Sequence, residues 1–225
     1  MRHFSPPLLA ALVLLAAPLA AAGQDFPPPE QASKLHQGEE PPAVGPILAA
    51  GIGWGSVTSM GDGKNFDPAA LFKAGKSFHG LAGIRLQSFG LAGLYQQGTP
   101  GVETKACPGG GCSASSTRKG VLAMLCMGGA SLGPLITLGI GGTGDQVEIR
   151  NGGGLVQRLE GWSFVERMSV EVPVGPPTSR FRLGGYFMLE IANYGKQVTP
   201  AGTTNLPSTS DSPLWGELGI SASFF

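Results

Sequence analysis

The sequence predicts an all-β chain: an eight-stranded antiparallel up-and-down transmembrane β-barrel, preceded by a signal peptide and a Pro-rich linker. Three observations predict it. The last stretch alternates with period two, with Glu217, Gly219, Ser221 and Ser223 on one face and Leu218, Ile220, Ala222 and Phe224 on the other. Period two marks a strand, and a small or polar face opposite an apolar one suits a wall between lumen and lipid. Upstream, eight extended stretches are joined by connections that are alternately long and short. Finally, charged residues make up only 13% of the 225-residue chain, with 37 glycines and 19 prolines, whereas soluble domains average about 25% charged residues. The formal net charge of zero gives no basic footprint for nucleic acid.

Residues 1–22 read as a secretory signal peptide. Arg2 supplies the basic start, an apolar run begins at Leu8, and Ala20 and Ala22 are the small residues before a cleavage point. Pro18 interrupts the run, leaving it short of the roughly 20 residues a spanning helix needs. Residues 23–45 form a proline-rich periplasmic linker without apolar periodicity, in which His36 is solvated. The barrel is expected over 46–225.

Strand one spans 47–58, with Leu48, Ala50, Ile52 and Trp54 on one face and Gly51, Gly53 and Gly55 on the other. Residues 77–97 are twice the length of a barrel strand of about 9–11 residues, so they split at Phe89-Gly90 into strands two and three. Strand four covers 119–130, strand five 134–143, strand six 161–174 and strand seven 180–194; strand eight closes the chain. Connections after strands one, three, five and seven are long and polar, and the others short. That is the asymmetry of extracellular loops and periplasmic turns. Trp54, Phe78, Trp162, Tyr194 and Trp215 fall where strands meet long loops, and Phe89, Phe181 and Phe224 near the other end, as interfacial girdles do.

Parity puts His79, Arg85 and Gln87 inside on strand two. It puts Arg167, Ser169 and Glu171 inside on strand six, Arg182, Tyr186 and Glu190 on strand seven, and Glu217 on strand eight. The expected lumen charge network is therefore Arg85, Arg167, Glu171, Arg182, Glu190 and Glu217. A bore this narrow favours paired charges acting as a plug over a conduit or gate. Glu166 falls on the outward face, at a rim or beside a bulge.

Asp67 to Gly75 has the capping pattern of a short helix, with Leu71 and Phe72 set to pack on the barrel mouth. Cys107 and Cys112, close together in an exported chain, are expected to form a disulfide; without a nearby histidine, metal ligation is disfavoured. Cys126 reads as an inert buried thiol. No cofactor is implied.

The terminal stretch resembles the C-terminal assembly signal of bacterial outer-membrane barrels through Glu217, Gly219, Ala222 and Phe224. Ala222 is smaller than usual there, and Phe225 lies one residue past the expected end. The chain over 46–225 resembles the small eight-stranded outer-membrane barrels of the OmpA/OmpX/OmpW-like group. That resemblance implies a bacterial outer-membrane location, with outer-membrane lipid, lipopolysaccharide and the barrel-assembly machinery as partners. It also implies an extracellular ligand or small solute. A structural or surface-interaction role is expected first, an OmpW-type channel for small or hydrophobic solutes second, and a lipid-A-modifying hydrolase third. For the last, Ser77 and His79 share a face near the outer rim. The deacylases among such barrels carry the histidine two residues before the serine, the reverse of the order here.

Overall fold

The computed structural model describes residues 44–61, 66–128, 133–175, 180–207 and 211–224. The leader, nearly all of the linker, Phe225 and most of the residue 175–179 turn lie outside these. Among the described residues nine strands form: β1 Val44–Ser59, β2 Phe72–Leu86, β3 Phe89–Val102, β4 Cys112–Gly128, β5 Leu135–Asn151, β6 Gly154–Pro173, β7 Phe181–Thr199, β8 Gly202–Asn205 and β9 Pro213–Phe224. Consecutive strands β1 to β7 pair antiparallel, β7 also pairs with β9, and β9 closes the ring on β1. Eight strands thus make an up-and-down barrel, as expected. The four-residue β8 pairs with the far end of β7 alone, outside the ring. Closure leaves no sheet edge within the barrel wall, which hydrocarbon requires.

The strands run longer than the sequence pattern indicated. β6 has 20 residues and β7 has 19. The expected long loop after strand five is instead a continued hairpin. Asn151 pairs with Gly154 across Gly152 and Gly153, whose φ angles of 54° and 86° suit a type I′ turn. The β2–β3 turn is Gln87-Ser88 rather than Phe89-Gly90. Gln87 therefore sits exposed in the turn, with φ of 55°, and not in the lumen. The expected helix over 67–75 shrinks to one 3-10 turn, Pro68–Leu71, capped by the Asp67 side chain, which accepts from the Ala69 amide at 2.9 Å. Phe72 is already in β2.

Outward residues form an apolar band with a sharp upper limit. On β1 the outward row runs Leu48, Ala50, Ile52, Trp54 and then Ser56 and Thr58; on β4 it runs Met127, Leu125, Ala123, Val121 and then Lys119 and Thr117. On β6 it runs from Val172 to Trp162 and then turns to Glu160 and Arg158. Trp162 is 60% exposed, as an interfacial aromatic should be. Tyr194 and Trp215 depart from the girdle expectation. Tyr194 is 3% exposed and faces inward, and the Trp215 ring lies 5.7 Å from that of buried Phe72.

Glu166 does lie on the outer wall, between Ile140 and Leu189, well below Trp162. It is within the apolar band, not at its rim. The register shifts of β6 fall elsewhere, at Ile149/Arg150 of β5 and at Glu160/Gly161.

Candidate functional site: a filled lumen beneath an apolar cap

Inward residues build two different interiors. At the level of the apolar band, one side of the lumen is packed with Ile47, Leu81, Leu94, Leu122, Met124 and Met188. Sequence reading expected a polar lumen and missed this half. The rest is polar: on β3 and β4 it begins above these residues, at Gln96 and Arg118, and it continues around β5 to β9. Arg118 Nε lies 2.6 Å from Glu190 and 3.5 Å from Asp145, and Arg118 Nη1 donates to Gln96 at 3.5 Å. Gln96 Nε2 donates to Glu217 at 2.8 Å, and the Tyr186 hydroxyl donates to the same carboxylate. The Ser163 hydroxyl lies within reach of both Asp145 and Glu190.

Lower down, Glu171 accepts from the hydroxyls of Ser221 and Ser223. Arg167 donates to Thr137 at 3.4 Å and to Ser169 at 3.2 Å, with its guanidinium 5.3 Å from the centre of the Tyr186 ring. Arg182 donates to the Gly133 carbonyl at 2.9 Å. Arg85 is half-buried on the inner face near the short-turn end of the barrel.

The six charges read from parity thus occupy different levels. Glu190 and Glu217 join one cluster; Arg167, Glu171 and Arg182 stand lower. The ion pairs of the upper cluster centre on Arg118 and Asp145, which sequence reading assigned to loops. Both strands continue past the expected ends, so these two residues stay in the wall. The signal that was available was the alternation itself, which persists through Ser116, Arg118 and Thr143, Asp145.

Glycines make room for this packing. A Cβ on Gly51 would sit 2.5 Å from the His79 ring, and one on Gly53 would strike the Tyr186 hydroxyl. Gly219, the glycine of the terminal motif, lies against Tyr186 and the backbone of Ile52. The glycine face of β1 is therefore the floor on which bulky inward side chains rest. Ala222 and Phe224 face out, beside Ala50 and Leu48.

His79 is wholly buried, not at the outer rim. Its ring meets Tyr186 edge-on at 4.4 Å between centres, and Nδ1 is 3.9 Å from Glu217. Among the described residues no cluster of three His, Cys, Asp or Glu side chains is arranged to hold a metal ion.

Above the band, the interior becomes an apolar core. Phe72, Ala114, Val147, Ile149, Leu159, Ala192 and Tyr194 are buried there, with Phe66, Leu71, Val102 and Trp215 packed around them. Leu71 and Phe72 thus do pack on the mouth. Cys107 and Cys112 are joined in a disulfide at this end, and Cys126 is a buried free thiol in β4. Outside, the hairpin of β5 and β6 carries a charge ladder. Arg150 donates to Glu148 at 2.9 Å, Gln146 donates to Glu148 at 2.8 Å, and Arg158 lies 2.7 Å from Glu160.

No protein-family model matches the chain, and no curated protein matches it in sequence. Solved structures do match. Neisserial surface protein A aligns with 80% of this chain and 97% of its own, at 13% identity and a TM-score of 0.55. The outer membrane protein OprG from Pseudomonas aeruginosa covers 80% of this chain and 95% of its own, at 13% identity and 0.47. Ail, the attachment invasion locus protein of Yersinia pestis, covers 80% and 99%, at 12% identity and 0.43. With its closed ring, apolar outer band and filled bore, the chain has the fold of the small eight-stranded outer-membrane β-barrels, the OmpA/OmpX/OmpW-like group.

Proposed function

We propose that this chain is a bacterial outer-membrane barrel with a closed lumen, acting in a structural or surface-interaction role through its extracellular end. The observation that carries this reading is the filling of the bore. A void between Gly55, Gln96, Arg118, Glu190, Trp215 and Glu217 measures about 20 Å3, room for about one water. Apolar side chains of β1 to β4 pack the lumen below it, and Phe72, Trp215 and Tyr194 roof it. A solute path along the axis requires the Arg118 cluster to separate, which leaves buried charges unpaired. The exposed strand extensions and hairpins stand on a rigid frame, the usual setting for recognition.

This reading leaves little for a channel or a hydrolase. A general base must reach its substrate, and His79 is sealed beneath Tyr186 and the β1 glycines. Purified protein reconstituted in planar bilayers tests the central claim. The expected result is no stepwise conductance; steady unitary steps would establish an OmpW-type channel instead.

A further inference from the structure

One charge stands on the lipid side of the wall. Within the apolar band Glu166 is the one charged side chain facing outward among the described residues. It is exposed between Ile140 of β5 and Leu189 of β7 and forms no hydrogen bond or ion pair among the described residues. A carboxyl group at that depth finds no bulk water, so its place there is costly unless a partner covers it.

The same wall offers the complement. Lys119 on β4 is exposed, faces outward and likewise forms no ion pair among the described residues; its ammonium lies 5.9 Å from the centre of the Tyr95 ring. Between Glu166 and Lys119 runs β5, whose outward positions at this height are Gly142 and Gly144. No side chain lies within 4 Å of where a Cβ would stand on either glycine, so nothing on β5 holds a second wall away.

Register sets the depths. Followed from strand to strand, the outward row that starts at Leu48 passes Val121, Gly142 and Phe164 and returns to β1 at Thr58, nearer the loop end. Each step from β1 toward β9 therefore climbs toward the extracellular side, as tilted strands require. Glu166 shares a row with Ile140 and Ala123, and Lys119 stands two alternations above Ala123 on β4. The climb from β4 to β6 removes more than half of that difference and leaves Lys119 about 4 Å higher than Glu166. A lysine stem spans that gap.

Copies of one barrel insert in the same orientation. Two of them can meet about a two-fold axis along the membrane normal, facing each other at equal depth. With β5 at that axis, β6 of one copy faces β4 of the other, and Glu166 of each meets Lys119 of the other. We propose that the outer wall of β4 to β6 is a dimerisation surface for a second copy of this chain, held by reciprocal Glu166–Lys119 pairs across the Gly142 and Gly144 positions. The inference rests on the outer-membrane location and not on a closed lumen, so a conducting barrel leaves it standing.

The test uses the purified full chain in lipid vesicles, half labelled with a donor dye and half with an acceptor, with energy transfer followed as the protein is diluted in lipid. Wild type is expected to associate. Glu166→Lys and Lys119→Glu each set like charges opposite one another in a self-pair, and each should associate about a hundredfold more weakly. Mixed together, these two variants regain both opposite-charge contacts, so transfer between them should return close to the wild-type level. Gly142→Leu should weaken association with both charges in place, whereas Lys76→Gln, on β2 and outside the surface, should associate as wild type. A heat-dependent gel shift reports that each variant is folded. Wild type that stays monomeric at every dilution overturns the proposal and assigns the cover of Glu166 to lipid or to a different membrane protein. Single charge variants that associate as wild type overturn it too, as does a mixture that fails to recover.

Discussion

Strand β6 carries two opposite rules along one length. Near its middle, Trp162 and Phe164 face out while Ser163 and Arg167 face in; toward its start, Arg158 faces out while Leu159 faces in. Strand β5 does the same, with Ile140 out and Thr143 in at one level, Glu148 out and Ile149 in at another. The parity never changes; the surroundings do. Within the band the outer side chains meet hydrocarbon, so the interior is free to hold polar groups that satisfy one another. Above the girdle the wall is wet, and the interior reverts to the ordinary apolar core. The inversion locates the membrane boundary on the strand without any reference to lipid.

The contrast can be broken from either side. Arg118→Ala removes the one cation between Glu190 and Asp145, leaving buried carboxylates without it. This is expected to cost about 3 to 5 kcal/mol, seen as a lower midpoint for the heat-dependent gel shift. Replacing Arg118, Asp145 and Glu190 together by apolar residues of similar volume should recover most of that loss. An Arg118→Ala variant as stable as wild type would mean the cluster is hydrated and the lumen open.

Leu159→Ala acts on the cap. Its side chain is buried among Val147, Ile149 and Tyr194, so truncation should cost about 2 to 4 kcal/mol. The loss should appear as faster amide exchange in the β5–β6 and β7 extensions, with the band region unaffected. Exchange accelerating equally in both regions would mean that cap and band unfold as one unit.

The smallest effect is expected from acid. At Glu148, burial alone raises the carboxyl, but it is outweighed by hydrogen bonds from Arg150 and Gln146 and by the guanidiniums of Arg150 and Arg158. The net shift is downward. A lowered folded value means the hairpin contact is fully present above the ordinary carboxylate value of about 4.3 and lost as pH falls through the folded value. Exchange at the Gly152-Gly153 tip should therefore rise below about pH 4 in wild type and not in Glu148→Gln. Identical pH profiles would remove the charge ladder from the account of hairpin stability.

Much of the wall is legible in the sequence. The apolar rows Leu48 to Trp54, Ile84 to Phe78 and Phe181 to Ile191 declare the outer face, and the turn residues count the strands. The cysteine pair was readable from its spacing and the export signal. Strand ends were harder, because an extension above the membrane inverts its hydrophobic pattern and so reads as a polar loop. Arg118 and Asp145 were lost for that reason, although Asn151-Gly152-Gly153-Gly154 was a visible hairpin signal. Tyr194 and Trp215 were placed in the girdle because an aromatic at a strand end has the same appearance whether it faces lipid or roofs a lumen.

The sequence by itself determined the fold class, the number and order of membrane-crossing strands, and which side of each strand meets lipid. All of these follow from a period of two residues and from turn chemistry, which act over a few neighbours. Only the tertiary structure decided which inward groups meet. Gln96 reaches Glu217 across 121 residues of chain, and Ser223 reaches Glu171 across 52. Those contacts exist because β9 closes on β1 and β7, and closure fixes how far each strand is shifted along its neighbour. That shift stacked His79 beneath Tyr186 and put Arg118 between two carboxylates.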